Sequence, residues 1–193
     1  EGGVIGAWLF VVGCAFFLFA SCWEIFTTRL CHGQNLLPYL PLICSVVNVI
    51  GSVQFIVGAV YFVPIVYATG PSVGCYLFIT GCSTFLVANL IDFARFVQTG
   101  SFLNQIWWHL NFFFNCMGNV WFIVGSYYFL PQFLVLTPEN DPNGDIAASN
   151  TTFAVNLYVT GSVGFVLGPT FYILASYKDS TRCNGENYKA PGV

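Results

Sequence analysis

Five long apolar runs, separated by short polar stretches, organise the chain: Val4 to Phe26, Leu42 to Val66, Val73 to Phe96, Ile106 to Phe133 and Thr152 to Tyr177. The runs are continuous, whereas a membrane β-barrel needs short strands that alternate apolar and polar side chains. The pattern therefore predicts helices. At about 1.5 Å of rise per residue, each run is long enough to cross a hydrocarbon core about 30 Å thick. The expected fold class is all-α, a polytopic membrane bundle of five transmembrane helices.

Two of these runs are copies of each other. Asn48, Gly51, Phe55-Ile56-Val57-Gly58, Tyr61-Phe62 and Pro64 return as Asn115, Gly118, Phe122-Ile123-Val124-Gly125, Tyr128-Phe129 and Pro131, at a constant offset of 67. A second phrase, Trp8-Leu9-Phe10-Val11-Val12-Gly13-Cys14, is echoed by Tyr76-Leu77-Phe78-Ile79-Thr80-Gly81-Cys82 and by Asn156-Leu157-Tyr158-Val159-Thr160-Gly161-Ser162. Such a period marks stacked copies of one supersecondary unit. The expected organisation is a half-repeat over residues 1–41, a hairpin repeat over 42–105, a second over 106–178, and a polar C-terminal tail over 179–193. Glu1 aligns with Thr69, so the register expects one more helix of the first type upstream, as part of the chain or as a cleaved signal.

Composition agrees with burial in lipid. Only 7% of residues are charged while 56% are hydrophobic, too little polar surface to cover a water-soluble domain of this size. The five basic residues, Arg29, Arg95, Lys178, Arg182 and Lys189, all lie at or beyond the C-terminal ends of the first, third and fifth runs. The connections 65–72 and 132–151 carry none, so the positive-inside rule places the N-terminus outside or lumenal and the C-terminus on the cytoplasmic side. Asn150-Thr151-Thr152, in the outer connection, is an acceptor sequence for an N-linked glycan and favours a secretory-pathway or plasma membrane over an energy-transducing one.

Each run carries two glycines seven residues apart: Gly6 and Gly13, Gly51 and Gly58, Gly74 and Gly81, Gly118 and Gly125, Gly161 and Gly168. Seven residues is nearly two turns, so each pair makes one smooth face along which helices pack closely in lipid. Pro64 and Pro131 are expected to end their helices, and Pro169, inside the last run, to bend or open it. Ionisable groups within spans are functional suspects, which singles out Glu24 and Asp92, at equivalent positions near the basic ends. Asn48 and Asn115 recur in register and are expected to bond across helices, with Gln54, Asn89, Asn111, Asn119 and Asn156 as further interhelical glue.

Catalysis has little to stand on. The sequence holds no nucleophile with a local His, no paired acidic motif, no phosphate-cradling loop, no C-x-x-C and no basic stripe for nucleic acid. The expectation is a protein without catalytic residues and without a metal site.

The phrases Phe122-Ile123-Val124-Gly125-Ser126-Tyr127-Tyr128-Phe129-Leu130-Pro131 and Leu77-Phe78-Ile79-Thr80-Gly81-Cys82 resemble the YrhK-like domain of small membrane proteins. That pattern is an apolar helix ending F-x-x-G-S-x-x-F-x-P, a short loop, and a helix opening L-F-x-x-G-S. Cys82 in place of the serine, the long connection after Pro131 and the unmatched first half-unit depart from it. The resemblance implies repeated helical hairpins and supplies no catalytic residue. Three functions fit the sequence: an accessory or scaffold subunit of a larger membrane assembly, partnered by lipids, other membrane subunits or copies of itself; a small transporter or channel with an intramembrane carboxylate; or a subunit binding a pigment, quinone or structural lipid along the glycine faces.

Overall fold

The computed structural model describes residues 2–30, 40–97 and 106–187. They form seven helices, α1 (Gly2–Leu30), α2 (Leu40–Tyr61), α3 (Pro64–Tyr67), α4 (Pro71–Val97), α5 (Ile106–Tyr128), α6 (Pro131–Leu134) and α7 (Asp145–Asn187), with no strand among the described residues. Five are long. The prolines of the repeat end α2 and α5 in the same way. A residue before proline is driven out of the helical region, and Val63 (φ −66°, ψ 127°) and Leu130 (φ −64°, ψ 141°) are extended accordingly. Pro64 and Pro131 then sit in the first turn of the one-turn helices α3 and α6, where a missing N–H leaves no bond unmade. The run expected to continue to Val66 is thus broken after Tyr61, and the one expected to reach Phe133 is broken after Tyr128.

Four helices are both long and apolar enough to cross a membrane, over Val4–Trp23, Leu40–Tyr61, Pro71–Ala94 and Asp145–Ala175. The expected fifth, α5, has the length, with 23 residues, but His109, Asn111, Asn115 and Asn119 lower its hydropathy. Helix α7 corrects the sequence reading at both ends. It begins at Asp145, inside the stretch expected to be loop up to Thr151, and it continues to Asn187, well into the stretch expected to be tail. The early start has a local cause: Gly144 takes the left-handed turn (φ 76°), and the Asp141 carboxylate accepts the Ile146 and Ala147 backbone N–H groups at 3.2 and 2.9 Å. The helix runs through Pro169 and continues on both sides of it.

The long helices pack in chain order, α1 on α2, α2 on α4, α4 on α5 and α5 on α7. Helices α1 and α7 meet through side chains, with the Phe17 and Phe165 ring centroids 6.4 Å apart. Its centre is aromatic: Phe55, Phe78 and Phe122 are each at most 7% exposed, with ring centroids 4.8 Å apart for Phe55–Phe78 and 5.8 Å for Phe55–Phe122. Outward-facing Leu9, Phe16 and Phe19 on α1 are at least 67% exposed, the surface expected of a helix meant for lipid.

Candidate functional site

Glycine sets how close the helices come, and it does so in the register of the repeat. A Cβ on Gly58 would lie 3.2 Å from Leu77 Cβ, one on Gly74 would lie 3.1 Å from the Gly58 carbonyl oxygen, and one on Gly81 would lie 3.4 Å from the Gly51 carbonyl oxygen. In the second hairpin Gly118 meets the Gly161 carbonyl oxygen at 3.0 Å and Gly125 meets that of Ala154 at 3.2 Å. Each aromatic ring covers a glycine on the facing helix: Phe85 over Gly51, Phe55 over Gly81, Phe122 over Gly161 and Phe165 over Gly118. Gly168 faces the Asn115 amide, whose atoms a Cβ would approach to 2.6 Å. Eight of the ten paired glycines therefore stand at close approaches, while Gly6 and Gly13 on α1 have nothing within 4 Å. The pairing face of α1 is open.

Inside the bundle the polar residues converge on one cavity of about 410 Å³. Asn48 of α2, Asn89 and Asp92 of α4, and Asn111, Asn115 and Asn119 of α5 line it, with Ser21 of α1 and Tyr172 of α7. This explains the low hydropathy of α5, whose asparagines face inward. They also form a ladder along their own helix: Asn115 Nδ2 donates to the Asn111 carbonyl at 2.9 Å and to its Oδ1 at 2.7 Å, and Asn119 Nδ2 donates to the Asn115 carbonyl at 2.8 Å. Hydroxyl groups supply cross-helix bonds, one of them with Gln54. Ser21 and Ser52 hydroxyls share a bond at 2.9 Å, Thr84 donates to Gln54 Oε1 at 3.1 Å, and Ser126 and Tyr158 hydroxyls share one at 2.9 Å. A short hydroxyl is suited to the narrow gap that glycine creates; a longer amide reaches back to its own helix more readily.

A second, apolar cavity of about 330 Å³ adjoins it. Leu9, Phe10 and Gly13 of α1, Phe55 and Phe122 from the centre, and Val166 of α7 are among its walls. Phe17, Phe85 and Phe165 border both cavities, so a polar and an apolar chamber share one aromatic partition. Both chambers are lined by α1 and α7, among other helices, and both are partly open. The arrangement can hold a molecule with a polar head and an apolar body. Among the described residues no group of three or more His, Cys, Asp or Glu side chains gathers as a metal site would require. His109 packs edge-on against Phe93, ring centroids 5.7 Å apart.

Of the residues singled out from sequence, the structure brings Asn48, Asn115 and Asp92 together in the polar cavity. Glu24 belongs to α1, but its side chain lies outside the described residues. Asn150 lies within the first turns of α7, half-buried, its Nδ2 donating to the Phe133 carbonyl at 3.0 Å. Sequence reasoning missed Ser21, Ser52 and the aromatic partition, although Phe17, Phe85 and Phe165 recur at the spacing of the second phrase and so carried a signal. It also missed Gly164. A Cβ there would meet the Phe114 carbonyl oxygen at 2.9 Å and the Gly118 Cα and N at 3.1 Å, the barest backbone contact in the bundle among those described.

No match was found among curated proteins or among solved structures. The profile of the YrhK-like protein family matches residues 40–97 and 105–176, which are the hairpins α2 to α4 and α5 to α7. With more than half of the sequence matched and both repeats covered, the chain belongs to the YrhK-like family.

Proposed function

We propose that this protein is a noncatalytic membrane subunit whose task is to hold an amphipathic membrane molecule, a quinone or a lipid, in the crevice between α1 and α7. The observation that carries the reading is the pairing of a polar chamber with an apolar one across Phe17, Phe85 and Phe165, both lined by α1 and α7. Ligand pockets are mostly apolar with a few converging polar groups, and they form between helices of bundles. Helix α5 crosses the membrane with its neighbours in this reading, because its asparagines face the cavity and not the acyl chains. The N-terminus lies outside and the C-terminus on the cytoplasmic side, as the basic residues require.

The open glycine face of α1 supports an accessory role in a larger assembly. Gly6 and Gly13 hold the positions that Gly74 and Gly81 use against α2; Gly13 borders the apolar chamber, while Gly6 has nothing within 4 Å of its Cβ position and is left for a partner helix. Intact-complex mass spectrometry of the native protein in mild detergent, with an absorption spectrum and solvent extraction of the same fraction, tests both parts. A retained lipid-like or quinone mass in proportion to the chain supports the binding role; a chain that never retains one overturns it. Other membrane chains in the complex support the accessory role, and a stable lone monomer refutes it.

A second reading, transport, is favoured by Asp92 lying in the same cavity as Asn48 and Asn115. Asp92→Asn would then abolish ion flux in proteoliposomes, and unchanged flux removes the carboxylate from any such path.

A further inference from the structure

Helices α4 and α7, which carry the second phrase, each have a helix of the α2 and α5 kind seated on the glycine of that phrase; α1 carries the same phrase and has none. Phe10, Gly13 and Phe17 of α1 correspond to Phe78, Gly81 and Phe85 of α4 and to Tyr158, Gly161 and Phe165 of α7. Within each hairpin the first helix lays one ring on that glycine, Phe55 on Gly81 and Phe122 on Gly161. The leucine about one turn earlier is covered too: a Cβ on Gly58 would meet Leu77 Cβ at 3.2 Å, and one on Gly125 would meet Leu157 Cβ at 3.4 Å. Gly81 and Gly161 are buried, and Leu157 is 8% exposed. Their counterparts on α1 are bare, with Gly13 exposed and Leu9 67% exposed. Helix α7 shows the other edge of the same gap, since Val166 is exposed where its counterparts Leu18 and Leu86 are half-buried. Leu9, Gly13 and Val166 are all walls of the apolar chamber, and Phe55 and Phe122 line it as well.

We propose that the apolar chamber is the seat of a sixth long helix, of the α2 and α5 kind, supplied by a partner membrane chain. This rests on the accessory role given above and names the chemistry of the partner. The helix carries the pattern G-x-x-x-F-x-x-G, which α2 holds as Gly51, Phe55 and Gly58 and α5 as Gly118, Phe122 and Gly125. Its ring enters the chamber beside Phe55 and Phe122 and lies over Gly13. Its first glycine brings a carbonyl to Gly13, as the Gly51 and Gly118 carbonyls come to Gly81 and Gly161, and its second meets Leu9. A cavity of about 150 Å³ accepts a benzene ring, so about 330 Å³ has room for the ring and the flank of its helix. Small residues that let backbones come close are what helices in lipid associate through. A second copy of this chain is a poor donor, because its α2 is already packed between α1 and α4 and its α5 between α4 and α7. The ring and the apolar body of a bound lipid or quinone are alternatives for the same space: the lone chain holds the one, and the assembly the other.

The test uses the whole protein in lipid nanodiscs and, as probe, a synthetic peptide of residues 40–67 with a photoreactive phenylalanine at position 55. Expected is saturable labelling of α1 and α7 around the chamber. An unlabelled peptide of the same sequence should suppress it, and one with Phe55→Ala should compete at least about tenfold more weakly, since the ring is what fills the chamber. Gly13→Leu in the protein fills the seat from within and should abolish labelling; nothing lies within 4 Å of its Cβ position, so the bundle has room for it. The comparison of the two peptides on unaltered protein keeps the test decisive even where that variant folds poorly. Labelling that does not saturate, or that both peptides suppress equally, overturns the seat. Where the native complex contains other membrane chains, that result leaves the accessory role standing; where the native protein is also a stable lone monomer, both fall.

Discussion

Replacing Gly164 by alanine probes the α5–α7 contact more sharply than any other single change. Two opposed effects are involved. Alanine is favoured over glycine in a helix by about 1 kcal/mol, and overpacking a close contact costs about 1–3 kcal/mol. At Gly164 the new methyl would lie 2.9 Å from the Phe114 carbonyl oxygen and 3.1 Å from the Gly118 Cα and N. All three are backbone, so no rotamer change relieves the contact and the helices themselves must separate, which puts the cost at the upper end of that range. The net expectation is a loss of about 2 kcal/mol. Gly13→Ala is the internal control, because nothing lies within 4 Å of its Cβ position and only the helical gain, up to about 1 kcal/mol, remains. Reversible unfolding in mixed micelles of mild detergent and SDS, followed by circular dichroism, should separate the two variants by about 3 kcal/mol, the sum of those effects. A Gly164→Ala protein as stable as the parent, or more so, would refute the claim that backbone contact limits the approach of these helices.

Three further outcomes follow from single contacts. Tyr158→Phe removes the partner of the fully buried Ser126 hydroxyl and should lower stability by about 0.6–1.7 kcal/mol in the same assay, the span seen for hydrogen bonds between membrane helices; no change would mean that bond contributes nothing. Asp141 accepts backbone N–H groups at the start of α7, above all that of Ala147, and these hold its carboxyl below the ordinary value of 3.8 against the opposing effect of burial. Because the folded value is the lower one, its contribution is complete above the unfolded value and is lost as pH falls through the folded one. Hydrogen exchange at Ile146 and Ala147 should accordingly stay slow from neutral pH to about 5 and rise only below 3.8, after correction for intrinsic rates, and Asp141→Asn should abolish that dependence. The proposed orientation puts Asn150 on the glycosylating side, so a glycosidase-sensitive mass in a eukaryotic host that Asn150→Gln removes is its expected outcome, and labelling of Lys178 from the outside of intact cells would refute that orientation.

Much of this architecture was readable without coordinates. Apolar run length specified long helices, four of them apolar enough to cross a membrane, and the offset of 67 between Asn48-to-Pro64 and Asn115-to-Pro131 specified two equivalent hairpins, because identical side chains at identical spacing have the same packing problem to solve. The ends of the helices were less legible. Asp141 and Gly144 begin α7 earlier than hydropathy suggested, since capping is a matter of hydrogen bonds and turn geometry and leaves no mark on an apolar average.

For the candidate site, residue type was visible but company was not. The sequence by itself marked Asn48, Asn115 and Asp92 as polar groups misplaced in lipid, and it marked the glycine pairs as packing faces. Which glycines are covered was decided by tertiary structure: Gly74 and Gly81 have a partner helix, whereas Gly6 and Gly13, with the same spacing, do not. Tertiary structure alone also turned the three asparagines of α5 inward and set Asn89 and Asn119 on one cavity wall with Phe17 of α1 and Phe165 of α7. The physical reason is that lipid offers little hydrophobic drive between helices, so their arrangement follows from interlocking shape and a few hydrogen bonds, which exist only once the helices have met.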